Sequence, residues 1–275
     1  MLNSILFLTL TFGFQQSLDD PEIKNLVWNR YITNNFTILS INDDQGYWMK
    51  NNIENIKSWC LTRWGLPDVK FSKECRVFCV PNSAMLKKLF NLDSSKMEIR
   101  TKDGSLEITA MWLALDEKPS NLIPVQVSEI IFTEFEYANK FKFPLWAKKG
   151  MALMNSSIAD IKNEFISLSD AKNVVENILN MSQNQFDKLT FDKKNQFIKQ
   201  SAALILMIRK EFGEVKLHSF LKVSYQNGSL EALQKVLGFS GYSDFEKTYL
   251  RYTNGLSKDI SQKATPDSYL QIKKN

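Results

Sequence analysis

Ser128, Glu129 and Lys149 come closest in this chain to a set of residues whose types and spacing could do chemistry. A serine hydroxyl with a lysine amine as its base can attack an acyl group, provided the two lie about 3 Å apart beside an oxyanion hole. Glu129 with a second carboxylate can divide acid and base work. Glu134 and Glu136 follow it on the same segment, and seven helical residues put Glu129 and Glu136 about 10 Å apart, at the edge of the spacing for inverting glycoside hydrolysis. A charged helix face accounts for the same carboxylates without any reaction. His218 is the single histidine of the chain, so the H-E-x-x-H motif and any three-His zinc site are excluded within one chain. A Ser-His-Asp or Cys-His triad survives only with His218 as base. His218 lies beside the apolar positions Leu217, Phe220 and Leu221, and no nearby residue identifies a nucleophile. A zinc site from Cys60, Cys75, Cys79 and His218 would lack the usual close cysteine pairs. Gly238-Phe-Ser240-Gly241 is no nucleophile elbow, because its second glycine comes one residue early, and no glycine-rich phosphate loop occurs.

The chain that must position these groups has 275 residues, 44% of them hydrophobic and 24% charged, with 19 Phe and 6 Trp. That is enough apolar material for a real core and argues against disorder. A net charge of +5 spread along the chain is not a nucleic-acid footprint. Lys142, Lys148 and Lys149 form a small basic cluster, a weak signal for an anionic partner. Residues 5–14 are apolar and uncharged, too short for the about 20 residues of a membrane span, and match the core of a signal peptide over 1–17. The expectation is an exported protein, periplasmic, envelope-associated or secreted, with no stable membrane span. Export would permit disulfides. Cys75 and Cys79, four strand steps apart, stand about 13 Å from each other, so any bridge joins Cys60 to one of them; three unpaired buried thiols is the other reading. Asn35, Asn155, Asn180 and Asn227 stand in glycosylation sequons, relevant only in a eukaryotic secretory host.

The coarse class is α+β, with a mixed sheet in a strand-and-helix front half and a helical back half. Strands are expected at 36–40, 75–80, 97–100 and 106–115, the last two joined by an Asp103-Gly104 hairpin turn. Helices are expected over 43–65 on a stripe of Trp48, Ile53, Ile56, Trp59 and Cys60, and over 83–90 with Ser83 as N-cap. Further helices are read over 125–141, 145–153, 171–179, 191–212, 215–226, 229–237 and 243–252, with Gly213, Gly228 and Gly238 at joints. Residues 257–275 read as a polar tail.

Val127-Ser-Glu129-Ile-Ile-Phe132 on one helix, followed by Trp146-Ala-Lys-Lys149-Gly150-Met-Ala152 opening the next, resembles the peptidase-MA-like (gluzincin) metallopeptidases. In that family H-E-x-x-H lies on the first helix and W-x-x-E-G-x-A on the second. The order of strands and helices from residue 28 to 253 is similar too, and Trp146-x-x-x-Gly150-x-Ala152 is the sharpest point of likeness. The resemblance implies a gluzincin-like domain over 28–253 whose zinc ligands fall on Ser128, Phe132 and Lys149. Only Glu129, at the general-base position, keeps the family's residue type. Serine is a poor zinc ligand, phenylalanine is none, and Lys149 carries positive charge to where the metal belongs. Without the metal no bound water is acidified for Glu129 to activate, and Glu129 is expected to pair with Lys149 instead.

The resulting expectation is a catalytically inactive metallopeptidase-like domain, without metal or other cofactor, that binds a peptide or protein in a vestigial cleft. Two alternatives stand beside it. One is a metal-independent hydrolase using Glu129 or a Ser128/Lys149 pair; the other is an envelope-associated structural or interaction protein.

Overall fold

The computed structural model describes residues 26–102, 105–117, 119–139, 142–156 and 173–259. The signal-peptide reading at 1–17 therefore lies outside the described residues, as do the hairpin turn at 103–104 and the end of the tail. The described residues fall into two compact units. One comprises the residues up to Thr62 with Leu66–Pro119, and the other Arg63–Gly65 with Ser120 onward. The expected α+β architecture is found: a mixed sheet in the front half and helices behind.

In the first unit the strands are β1 (Asn29–Ile32), β2 (Phe36–Ser40), β3 (Cys75–Val80), β4 (Lys96–Lys102) and β5 (Ser105–Ala114). Their order across the sheet is β1-β2-β3-β5-β4. β2, β3 and β5 run parallel, and β1 and β4 flank them antiparallel. Parallel neighbours need crossover connections. Helix α1 (Asp43–Arg63) joins β2 to β3, and α2 (Ser83–Phe90) with β4 joins β3 to β5. The central strands are buried on both faces, as crossover helices require, which is why β3 reads after Arg76 as a continuous apolar run, Val77 to Val80, instead of an alternating one. On one face Phe78 stacks on Trp112 at 5.8 Å with Leu86 and Leu89 of α2 in the same cluster. Each such side chain contributes roughly 1.5–3 kcal/mol by leaving water. β1 carries no strong strand signal of its own; it forms because it pairs residue for residue with β2 from Asn29↔Ser40 to Ile32↔Thr37.

The buried stripe of α1 is Met49, Ile53, Lys57, Cys60 and Leu61, rotated from the one expected; Trp48, Ile56 and Trp59 are only half-buried. Lys57 belongs to that stripe because its stem packs inward while its ammonium reaches Asp68 at 2.8 Å and lies over the Phe71 ring. The ammonium holds the exposed Asp68 carboxyl below its ordinary range. The N-cap of α2 is Asn82, not Ser83. Asn82 has the extended backbone a cap needs, and its side chain accepts from the Met85 amide at 2.9 Å. Ser83 is instead the first helical residue, and its hydroxyl donates to Asp116 and Glu117.

Asn35 ties the front of the sheet together. Its backbone and side-chain amides donate to Glu54 at 2.8 and 2.9 Å, and its side-chain oxygen accepts from the Phe71 amide. Its carbonyl receives the Cys75 amide that starts β3. A side chain so engaged and only 5% exposed is no acceptor for a glycan in the folded protein.

Of the two readings of the cysteines, the structure has the unbridged one: Cys60, Cys75 and Cys79 are all buried and form no disulfide. They act as small apolar side chains of the core, not as a cross-link. Burial pushes the Cys79 thiol up to about 12, and pushes Cys75 up as well, with Glu74 adding to it.

The second unit is helical. Its elements are α3 (Pro119–Asn139), α4 (Leu145–Met154), α5 (Val174–Leu179), α6 (Gln183–Asp187), α7 (Phe191–Phe212), α8 (Glu214–Asn227), α9 (Ser229–Ala232), continued by a π turn at Leu233–Leu237, and α10 (Tyr242–Asp259). Helix α3 begins six residues before the expected start, because Pro124 costs one intrahelical hydrogen bond without ending the helix. Helix α10 runs into the segment read as tail, as far as Asp259. Gly213, Gly228 and Gly238 occupy the joints with φ of +83, +93 and +79, which side-chain-bearing residues rarely adopt. Helix α5 is fastened at both ends by α10. Glu246 accepts from the Val174 amide at 2.7 Å and Tyr242 donates to Asn180 at 3.1 Å. Among the described residues no helix is long and apolar enough to cross a membrane.

Thiol labelling tests the cysteine arrangement. An aromatic disulfide reagent should find no thiol in the native protein and three in about 6 M guanidinium without reductant. A count of one after unfolding would mean a bridge exists.

Candidate functional site

The residues singled out by type meet on α3 and α4. Along α3, residues 129, 133 and 136 share a face by helical spacing. Along α4, Lys148 and Lys149 point toward it. The Lys149 ammonium donates to both oxygens of Glu129, at 2.8 and 2.9 Å. The two side chains are 17% and 18% exposed, so this expected pair forms mostly out of water. Lys148 donates to Glu136 at 2.8 Å and to the Thr133 hydroxyl at 2.7 Å. Glu136 also accepts from the Phe143 amide, so it holds the residue that precedes the entry to α4. The helices are thus joined by two ion pairs side by side. Glu129 and Glu136 do not face a common substrate; each is neutralised by its own lysine.

Ser128 points elsewhere. It is fully buried, donates to the Pro124 carbonyl at 2.6 Å and accepts from the Asn155 amide at 2.7 Å. The structure therefore does not bring Ser128 to Lys149, and the serine–lysine nucleophile has neither its base nor solvent access. Asn155, 1% exposed and spent on Ser128, is no accessible sequon either. Asn180 and Asn227 are exposed. Phe132 is buried with its ring 5.3 Å from Phe143.

Trp146, Gly150 and Ala152 are all buried on α4. Trp146 lies 5.7 Å from Phe220 of α8. Gly150 is where α4 meets α7. A Cβ there would fall 2.7 Å from the Ser201 carbonyl carbon and 2.8 Å from its oxygen, so the two backbones approach as closely as they do only because the residue is glycine. This contact sets the depth at which the next residue back, Lys149, sits.

Phe186 completes the surroundings. It is 7% exposed, on α6, and its ring lies 5.6 Å from the Lys149 ammonium and 5.7 Å from that of Lys194. Neither Phe186 nor Lys194 was legible as a site residue. The one readable hint was Ser182-x-x-Gln185, a capping box formed in both directions at the start of α6.

A zinc ion does not fit these residues. Phe132 has no donor atom, the Ser128 hydroxyl is committed to Pro124 and Asn155, and the Lys149 cation already holds both oxygens of Glu129. The three cysteines and His218 do not assemble either: among the described residues no group of three His, Cys, Asp or Glu is placed to hold a metal. His218 is 46% exposed and 3.7 Å from Glu214, one turn away, a surface position.

Two substitutions test this packing. Gly150→Ala should lower stability by about 1–3 kcal/mol or more, because backbone and not a flexible side chain stands in the way; an unchanged melting temperature would show that α4 and α7 are not locked there. Glu129→Gln and Lys149→Met should each lower stability by about 1–3 kcal/mol in urea denaturation, and the double variant by clearly less than their sum. Strict additivity would mean the two charges do not interact.

No protein-family model matches the chain, and no curated protein matches it.

Proposed function

We propose that this protein is an exported, catalytically inactive metallopeptidase-like domain that binds a peptide or protein. One observation carries the reading. Lys149 and Glu129 form a two-oxygen ion pair across α3 and α4 at the two positions where the family resemblance puts the third zinc ligand and the general base. A general base needs a free lone pair directed at water or substrate. Both Glu129 oxygens accept from the same ammonium, which supports a structural role for that carboxylate. The glycine and tryptophan of the likeness keep roles that do not depend on a metal: Gly150 seats α4 on α7, and Trp146 anchors it against α8. Such a scaffold can outlast its catalytic centre, and peptide recognition is what remains when hydrolysis is removed. Export rests on the apolar, uncharged run at residues 5–14.

Rebuilding the site tests the register. Wild-type protein purified without chelator should carry less than about a tenth of an equivalent of zinc by elemental mass spectrometry. Ser128→His, Phe132→His and Lys149→Glu together should raise this toward one equivalent. A folded triple variant that takes up no zinc, or wild type holding a full equivalent, would overturn the reading.

A further inference from the structure

The ion pair between Lys57 and Asp68 has its two ends in different surroundings. The lysine side chain is 3% exposed and the aspartate 83%. In the pairs that join α3 and α4, by contrast, both ends are shielded alike. A proton can therefore reach the Asp68 carboxylate without any movement of the chain, whereas the Lys57 ammonium reaches water only if its cover moves. That cover is the segment 66–74, which joins α1 to β3 without forming helix or strand. Asp68 holds the ammonium at 2.8 Å. Phe71, the one buried residue of the segment, places its ring 5.4 Å from the same ammonium and 5.3 Å from the Phe36 ring. Its amide donates to the Asn35 side chain at 2.9 Å. The segment lies across Lys57 as a strap, with Phe71 as its plug. The other charges nearby do not replace Asp68. Glu54, on α1, accepts from Thr33 and Asn35, and Lys50 and Arg63 lie further off along the same helix. On the strap Lys70, Lys73 and Glu74 are exposed, and the Cys75 thiol that opens β3 is buried and neutral.

We propose that Lys57 and Asp68 form a proton-operated latch: neutralising Asp68 leaves the Lys57 charge uncompensated beneath the strap, and residues 66–74 lift so that the ammonium reaches water. A buried charge that loses its partner is strongly destabilising, and here the cheapest relief is local, since only one segment stands between the ammonium and solvent. The direction with pH follows from the pair. Lys57 holds the Asp68 carboxyl below its ordinary range. A carboxylate depressed in this way contributes stability above its unfolded range and loses it as pH falls through the lowered value. The strap is therefore closed at neutral pH and in mild acid and opens in stronger acid, which brings water to Phe36 and Cys75. This latch is independent of the peptide-binding reading.

Amide hydrogen exchange read by mass spectrometry tests the latch. Protection is expressed relative to the intrinsic exchange rate at each pH and compared between residues 66–74 and β3. In wild type, protection at 66–74 should fall about tenfold or more between about pH 7 and about pH 3 while β3 keeps its own. Asp68→Asn has the shape of the protonated carboxyl without the charge, so its strap should be open already at about pH 7 with β3 still protected. Adding Lys57→Met to Asp68→Asn leaves no charge under the strap, so the double variant should regain near wild-type protection there and lose the response to acid. A strap as protected in Asp68→Asn as in wild type, or a double variant as open as Asp68→Asn, overturns the latch. Loss of β3 protection in step with the strap, in acid or in Asp68→Asn, also overturns it, because the pair would then support the whole unit and not one segment.

Discussion

An ammonium and a carboxylate taken most of the way out of water stay charged only if each supplies what the solvent did. Glu129 and Lys149 meet that condition with two hydrogen bonds from one ammonium, which also lies over the Phe186 ring. The geometry is set by a contact that involves no charge. Because residue 150 has no side chain, α4 lies against the Ser201 backbone of α7, and residue 149 is carried to the height of residue 129 on α3. A larger residue would push α4 outward, lengthen the ion pair and admit water to it. The second pair, Lys148 with Glu136 and Thr133, fixes the same two helices about two turns further along α3, so neither can rotate without breaking a buried charge contact.

The front unit is held by different means. Its sheet gains stability from aromatic and aliphatic burial on both faces, and its polar contacts serve to hold loops. Asn35 and Glu54 satisfy the turn between β1 and β2 and draw the Phe71 segment toward α1. A half-buried carboxylate that accepts three hydrogen bonds from Thr33 and Asn35 needs no lysine of its own. The buried Lys57, one turn further along α1, can therefore turn to Asp68 and Phe71.

What was legible in the sequence follows from which physical effect governs each part. The parallel strands β2, β3 and β5 announce themselves as short runs of strand-forming residues, and the long helices α1 and α7 by their periodicity, although the stripe read for α1 is rotated from the buried one. β1 did not, since its four residues, two half-buried and two exposed, are ordered by their partner strand and not by their own composition. The α3 start was misplaced because proline's local cost is real but smaller than what the helix gains beyond it. At the site, the Glu129–Lys149 pair was readable only through the resemblance, which set those two residues against each other on consecutive helices. The fate of Ser128 was not: its partners are a carbonyl four residues back and Asn155, just past the end of α4, and nothing in the local pattern marks either. Phe186 and Lys194 were unreadable for the same reason, as they reach the site through the tertiary packing of α6 and α7.

The same packing bears on why a lysine suits this position. A zinc site holds its helices together only while the ion is bound, and its donors must be deprotonated first, so folding becomes linked to metal supply and to pH. A lysine brings its charge on a covalent tether. The link between α3 and α4 therefore needs no solute. Compared with a metal site, such a link has no divalent charge and no open coordination position; Glu129 and Lys149 form a neutral pair between the two helices. Such a pair offers little to a reacting bond. The ring of Phe186, 5.6 Å from the Lys149 ammonium, adds a cation–π contact to the pair, a further means of holding a largely buried charge that needs no solute.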